Sequence, residues 1–132
     1  MQTFLPYPDF RKTVKCLDNK RLGKQRVEAF QIEKSLKIPE YGWKHHPAVK
    51  MWKGYIDALR EYQKHCILEW IKRGFKNNME IPNVKGRIKY PFWLGDENFH
   101  SSHRSNLLRK DLNYYSKYNW KEENNLPYVW PV

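Results

Sequence analysis

The sequence predicts an all-α fold: a compact single domain, residues 1–132, of three to four helices around a long central helix, with long connecting loops. Three observations support this fold class. Apolar residues recur at three- and four-residue spacing over 47–73, which is typical of a helix with one buried face. Aromatic residues make up 16% of the chain, which favours a packed core over disorder. A length of 132 residues suits one core, and no internal repeat divides it.

The first two helices are predicted from their N-terminal caps. Two prolines favour extended backbone over the first eight residues. Asp9 then caps a short helix that runs through about Leu17. Asp18 is the candidate cap of a longer helix, which ends before Pro39.

The third helix is predicted to be the centre of the fold. Pro47 opens it, and Gly74 ends it after about Arg73. One face carries a stripe of apolar and aromatic side chains, which we expect to form the core rather than a platform for nucleic-acid bases. The stripe consists of Ala48, Met51, Trp52, Tyr55, Leu59, Tyr62, Cys66 and Trp70.

The remainder of the chain is predicted to be a loop, a helix and a tail. Residues 76–100 have no sustained period and interleave basic with aromatic residues, so we expect a long loop with a function. Ser101 or Ser102 is the candidate cap of the last helix. The tail after Trp120 is expected to pack across the surface.

Several features indicate a cytoplasmic, intracellular protein. No apolar run approaches the roughly 20 residues of a membrane span, and the N-terminus lacks the pattern of a signal peptide. Cys16 and Cys66 fall in predicted helices, and nothing suggests a disulfide framework. We therefore expect a reducing compartment and no contact with a membrane.

The charge of the chain indicates a nucleic acid as partner. Lys and Arg number 25 against 14 Asp and Glu, and the first 26 residues hold seven basic side chains against two acidic ones. Such clusters usually meet a polyanion, although a merely soluble basic protein is the alternative. We expect a monomer whose leading partner is nucleic acid. The candidate DNA contacts are Arg21, Lys24, Gln25, Arg26, His46, His100, His103, Arg104, Arg109 and Lys110.

The second predicted helix has a polar stripe with a possible chemical role. At about 100° per residue, Arg21, Gln25 and Glu28 share a narrow sector, and Lys24 lies at its edge. Cations beside one carboxylate suit a surface on which the cations bind phosphates and the carboxylate acts as a general acid–base group. An ordinary solvated helix face is the alternative.

Metal, cofactor and nucleophile motifs are not found in the sequence. His100 and His103 have the spacing of two ligands on a helix, but no third ligand is placed by the sequence. There is no HExxH motif, no glycine-rich phosphate loop and no G-x-S-x-G elbow. We expect no metal and no cofactor.

Several segments of the chain resemble the pyrimidine dimer DNA glycosylases of the phage endonuclease V type. The resemblance is diffuse and covers most of the sequence, so residues 1–132 are expected to be one domain of this kind. It is carried by MQTFLPYPDF, LDNKRLGKQRVEAF, GWKHHPAVKMW, EWIKRGF (69–75), HSSHRSNLLRKD and LNYYSKY.

The resemblance implies a compact, mostly helical enzyme that binds damaged double-stranded DNA, bends it, flips out a nucleotide and needs no metal. In the family, the N-terminal α-amine attacks C1′ of the damaged nucleotide, and a Schiff base leads to loss of the base and then to β-elimination. A glutamate on the first long helix assists, and arginines hold phosphates. An α-amine suits this role because it is less basic than a lysine side chain.

The sequence departs from the family pattern at two positions. The family nucleophile is a small residue exposed by removal of Met1, whereas Gln2 is bulky and normally leaves Met1 in place. An ungapped match puts Gly23 at the position of the family glutamate and matches Arg26 to a later arginine. The candidate catalytic residues are therefore Met1, Gln2 and Glu28, with Glu28 as the nearest replacement for the glutamate.

Three functions follow from these observations. The first is a DNA repair glycosylase, with or without abasic-site lyase activity, that acts on damaged pyrimidines in duplex DNA. The second is a non-catalytic DNA- or RNA-binding module on the same fold. The third is a nuclease or base-modifying enzyme that uses His46, His100 or His103 as an acid–base group.

Overall fold

The regular structure is entirely helical in the computed structural model, which describes residues 1–132. This confirms the predicted fold class. The elements are α1 Phe10–Cys16, α2 Asn19–Lys37, α3 Pro47–Lys50, α4 Ile56–Lys72, α5 Glu97–Lys110, α6 Leu112–Tyr115 and a 3-10 turn at Ser116–Tyr118. None of the helices combines the length and apolar character that a membrane span requires.

The first two helices begin where their caps predict. Asp9 accepts hydrogen bonds from the backbone N–H groups of Arg11 and Lys12 at 2.9 and 3.2 Å. Asp18 occupies the N-cap position of α2 but makes no cap hydrogen bond with its side chain. Its carboxylate instead binds Arg21 and the hydroxyl of Tyr115.

The prediction of one continuous helix over 47–73 is wrong, because the helix is interrupted in its middle. It is divided into α3 and α4 by a turn in which Gly54 has a φ of +86°. A residue in this left-handed region cannot continue an α-helix, and glycine adopts it without a steric penalty. The apolar spacing continues across the break because the turn also buries its side chains, including Met51 and Trp52.

The core forms where α2 and α4 pack together, with α1, α5 and the loop before α5 around them. Most of the predicted apolar stripe is buried in it, while Tyr55 and Trp70 are only partly buried. Trp52 has no exposed surface, packs edge-on against Trp93 at 5.0 Å between ring centroids, and stacks with Tyr62. The stripe is therefore core, as expected.

The last long helix starts earlier than predicted. Asp96 caps α5 by accepting from the N–H of Asn98 at 3.0 Å, so the loop ends at 96 rather than 100. The two serines proposed as caps bind other groups. Ser101 donates to Glu122, and Ser102 accepts from the N–H of Val129 at 3.2 Å, which holds the tail across α5.

Candidate active site

The N-terminal segment is anchored by side chains from α2 and α5. The N–H of Phe4 donates to Oε1 of Gln25 at 2.9 Å, and the N–H of Leu5 donates to Nδ1 of His103 at 3.0 Å. Gln25 also donates to the carbonyl of Gln2 at 2.8 Å and has no exposed surface. Breaking such buried bonds leaves unsatisfied polar groups, which is costly. The amino terminus is therefore held against the middle of α2.

Glu28 lies beside this terminus. Its Oε2 accepts from the N–H of Gln2 at 3.3 Å and from Nε2 of Gln25 at 3.0 Å. Both bonds use one carboxylate oxygen, so Oε1 keeps its capacity to accept a proton or a hydrogen bond from a ligand. The arrangement brings an amine-bearing chain end and a carboxylate from α2 to the same place.

A cavity of about 470 Å³ opens beside Glu28. Its wall combines the N-terminal segment, α2, the end of α5 and the C-terminal tail, and it contains four cations but one carboxylate. The lining residues are Met1, Gln2, Phe4, Lys20, Arg21, Lys24, Glu28, His46, Lys110, Tyr128 and Trp130. A concave site with this charge attracts a polyanion and concentrates it at the carboxylate.

The cations of the cavity are held close to one another. Arg21 is oriented by Asp18, whose Oδ2 accepts from the guanidinium at 3.0 Å. Burial lowers the pKa of Lys110, and the charges of its cationic neighbours lower it further. These neighbours are Arg21, Arg109 and Lys24. Because the cations repel one another, a bound phosphate would be stabilised by several of them together.

His46 forms another part of the cavity wall. Its Nδ1 accepts from the N–H of Ala48 at 3.0 Å, which caps α3 and leaves the ring proton on Nε2. Burial lowers the pKa of His46, and the charged amino terminus of Met1 lowers it further. The ring is therefore neutral at pH 7. The ring of Trp130 in the tail packs edge-on against it, with 6.0 Å between centroids.

The segment that carries most of this site matches a known protein family. A family model described as pyrimidine dimer DNA glycosylase matches residues 1–83, which include Met1, Glu28 and His46. The chain belongs to the pyrimidine dimer DNA glycosylase family. The resemblance seen in the sequence is thus confirmed, and the family has a general role as a glycosylase that acts on DNA. No curated protein and no solved structure matches the sequence.

In this member of the pyrimidine dimer DNA glycosylase family, Gly23 packs closely against α4. A Cβ atom at Gly23 would lie 3.0 Å from two ring atoms of Trp70, so any side chain there requires the indole to move. The guanidinium carbon of Arg26 lies 4.4 Å from the centroid of the same ring, and the guanidinium donates to Oδ1 of Asn77 at 2.9 Å. Arg26 therefore lies outside the cavity, and Glu28 is the carboxylate beside the amino terminus.

Two histidines predicted to contact DNA are buried in the core, and the prediction was wrong for both. His100 donates from Nδ1 to the carbonyl of Leu5 at 2.7 Å, and its Nε2 accepts from the N–H of Gly95 at 2.9 Å. Burial lowers the pKa of His103 to about 3, and the charge of His100 contributes. These rings hold the N-terminal segment and are not acid–base groups. The fold also contains no cluster of three His, Cys, Asp or Glu side chains suited to a metal ion.

Arg104 and Gln25 are also structural rather than DNA-facing, which corrects the sequence interpretation. The guanidinium of Arg104 is almost fully buried and donates to Glu122 at 3.0 Å and to the carbonyl of Pro6 at 2.8 Å. It also pairs with Glu97. Arg104 therefore ties the tail to the N-terminal segment, because one planar cation can donate to several acceptors at once.

The sequence interpretation missed the contribution of the tail to this site. Tyr128 and Trp130 line the cavity although they are about 100 residues from Glu28 along the chain. The tail is placed by Asn106, which donates to the carbonyl of Leu126 at 3.0 Å. The aromatic residues in PYVWPV were the available signal, but no local pattern indicates which face such a segment covers. Lys20, another lining residue, is one of the seven basic side chains in the first 26 residues.

Proposed function

We propose that this protein is a DNA repair glycosylase with abasic-site lyase activity that acts on damaged pyrimidines in duplex DNA. The observation that carries the proposal is that Met1 and Glu28 line one cavity together with four cations. An amine nucleophile, a carboxylate and phosphate-binding cations are the groups that this reaction needs.

In the proposed reaction, the unprotonated α-amine of Met1 attacks C1′ of the damaged nucleotide. The glycosidic bond breaks, and the pyrimidine leaves with the bonding electrons and takes up a proton. Opening of the sugar ring at O4′ gives a Schiff base between the Met1 nitrogen and C1′. Loss of a proton from C2′ then breaks the bond between C3′ and its phosphate oxygen, which cuts the strand. Water hydrolyses the Schiff base and releases the amine.

Glu28 is the acid–base group of this scheme. Its carboxylate accepts the proton that the attacking amine loses, and it donates a proton to O4′ as the ring opens. Its negative charge also stabilises the positive charge that develops at C1′. The support for this role is its hydrogen bond to the N–H of Gln2, the residue next to the nucleophile.

The cations hold the DNA in position for this chemistry. In this proposal, Arg21, Lys24, Lys110 and the neighbouring Arg109 bind the phosphates that flank the damaged nucleotide. Contacts of this kind fix the register of the duplex without reading its sequence. The proposed enzyme is therefore selective for damage, through the flipped nucleotide, and tolerant of sequence.

Borohydride trapping tests the proposal directly. A duplex with an abasic site or a pyrimidine dimer is incubated with the protein and reduced, and the cross-linked peptide is identified by mass spectrometry. We expect the DNA to be attached to the α-nitrogen of Met1. A variant with one additional residue before Met1 is the matched control, because it moves the amine and leaves every side chain in place. Trapping on a lysine, or undiminished trapping in the extended variant, would contradict the role of the Met1 amine.

One observation favours the non-catalytic DNA- or RNA-binding module as a second candidate. Gly23, at the position that the family resemblance assigns to a glutamate, has no room for a side chain while Trp70 keeps its place. If the catalytic carboxylate was lost rather than replaced by Glu28, the cationic cavity would bind nucleic acid without cleaving it. Salt-sensitive duplex binding without trapping, base release or strand cleavage would identify this case.

A further inference from the structure

Trp43 is an exposed tryptophan in a strained backbone conformation. Its side chain is 60% exposed, and its φ is +77°, a region that bulky residues rarely adopt. Neighbouring contacts hold the loop in this form, since Ser35 donates to the carbonyl of Gly42 at 2.9 Å and the N–H of His46 donates to the carbonyl of Trp43 at 2.8 Å. Backbone strain of this kind persists where the surrounding structure enforces it, and it is concentrated at functional sites.

The exposed indole lies at the edge of the candidate active site. Its ring centroid is 5.9 Å from that of His46, which lines the cavity beside Met1. The adjacent surface is basic: Lys44, Lys50 and Lys53 line a neighbouring cavity that contains no Asp or Glu side chain. DNA that covers the site and follows the positive surface would therefore pass over Trp43.

We propose that Trp43 is a wedge that enters the base stack at the damaged site when a nucleotide is flipped out of the duplex. This inference rests on the proposed function. Flipping a nucleotide leaves a gap, and an inserted apolar side chain fills it and stabilises the kinked duplex. An indole offers a large face on which any base stacks, so the contact is independent of sequence. The indole is exposed to solvent, where the duplex can reach it.

Trp43→Ala tests the wedge through a comparison of two substrates. On a duplex with an abasic site, we expect borohydride trapping to slow about 5- to 150-fold, the range that corresponds to losing one stacked base. On a single-stranded oligonucleotide with the same abasic site, the rate should be unchanged, because no stack has to be opened. Phe92→Ala is the matched control, since Phe92 is 78% exposed and does not line the cavity. This control should behave as the wild type on both substrates.

A fluorescent base provides an independent measurement. With 2-aminopurine next to the abasic site, wild-type protein should alter the fluorescence on binding as the wedge stacks against it, and Trp43→Ala should not. Trp43→Phe keeps an aromatic face and should recover part of the duplex rate, which also tests the idea if the alanine variant folds poorly.

The outcomes separate the wedge from the proposed function. Equal loss on both substrates would overturn the wedge and indicate that Trp43 acts only by supporting His46. Wild-type rates for Trp43→Ala on the duplex would overturn it as well, while leaving the proposed function intact. Absence of trapping by the wild-type protein on both substrates would instead reject the proposed function, and the wedge with it.

Discussion

Replacing Glu28 by glutamine removes one negative charge from the cavity and keeps its shape. In the structure, Oε2 accepts from the N–H of Gln2 at 3.3 Å and from Nε2 of Gln25 at 3.0 Å. The amide oxygen of a glutamine can accept both bonds. A hydrogen bond to a charged group is worth about 1.5–3 kcal/mol and a neutral one about 0.5–1.5 kcal/mol. The substitution should therefore lower the free energy of unfolding by about 1–1.5 kcal/mol for each of the two bonds.

The effect of Glu28→Gln on excision should be larger. An amide cannot accept the proton from the attacking amine or stabilise the positive charge at C1′. We expect base excision to slow about 100-fold or more, which corresponds to a rise of about 2.7 kcal/mol in the activation barrier. Affinity for the duplex should stay near that of the wild type, because the cations that line the cavity are unchanged.

The assay is single-turnover excision from a duplex with one pyrimidine dimer, with the enzyme in excess, together with thermal unfolding of the same variants. Glu33→Gln is the matched control, since Glu33 is on α2 but pairs with Lys37 at 2.8 Å and Arg60 at 3.6 Å outside the cavity. The control should excise at the wild-type rate. Full activity of Glu28→Gln would refute its catalytic role, and Asp18 would be the next carboxylate to test.

Three further predictions concern binding, the core and pH. Lys24→Ala should weaken binding to all sequences alike. In an anisotropy titration, it should reduce the magnitude of the slope of log affinity against log salt by about one. The control Lys72→Ala, which is outside the cavity, should have little effect. Trp52→Ala should lower the free energy of unfolding by about 3–5 kcal/mol in denaturant titrations, because the indole is fully buried. Unchanged stability together with lost DNA binding would show that the apolar stripe is a ligand surface instead. The pKa of His103 is lowered to about 3, so the unfolded chain binds a proton at this ring below about pH 6.5 while the folded protein does not. The stability that this neutral ring contributes is present above pH 6.5 and should be lost as the pH falls towards 3, by up to about 1.4 kcal/mol per pH unit. In His103→Asn, Oδ1 can accept from the N–H of Leu5. Thermal melts of this variant should show a weaker dependence of stability on pH.

Much of the fold and part of the site could be predicted from local sequence patterns. Asp9 marks the start of α1 because its side chain accepts from N–H groups within three residues, and Asp18 occupies the N-cap position of α2 without such a bond. The spacing of Arg21 and Glu28 places both on one face of α2 because helical geometry depends only on the number of residues between them. The family resemblance added the amino terminus as a candidate nucleophile.

The tertiary structure alone decided which of the candidate residues meet. A histidine or arginine has the same polar groups whether it is buried or exposed, so the sequence does not distinguish the two cases. The N-terminal segment and the tail pack over α5 and bury three such residues, His100, His103 and Arg104. The helix break at Gly54 was hidden for a related reason, because the turn continues the apolar spacing of the helices that it joins.

The sequence by itself determined the helical class, the positive charge and the carboxylate beside cations on α2, because each of these depends on neighbouring residues or on composition. Only the tertiary structure brought Glu28 next to Gln2, set Trp130 against His46 and left Trp43 exposed with a positive φ. These features join residues that are far apart in the chain or that are held by distant contacts. Their free energy comes from burial and hydrogen bonds formed only when the whole core assembles, so no local pattern records them.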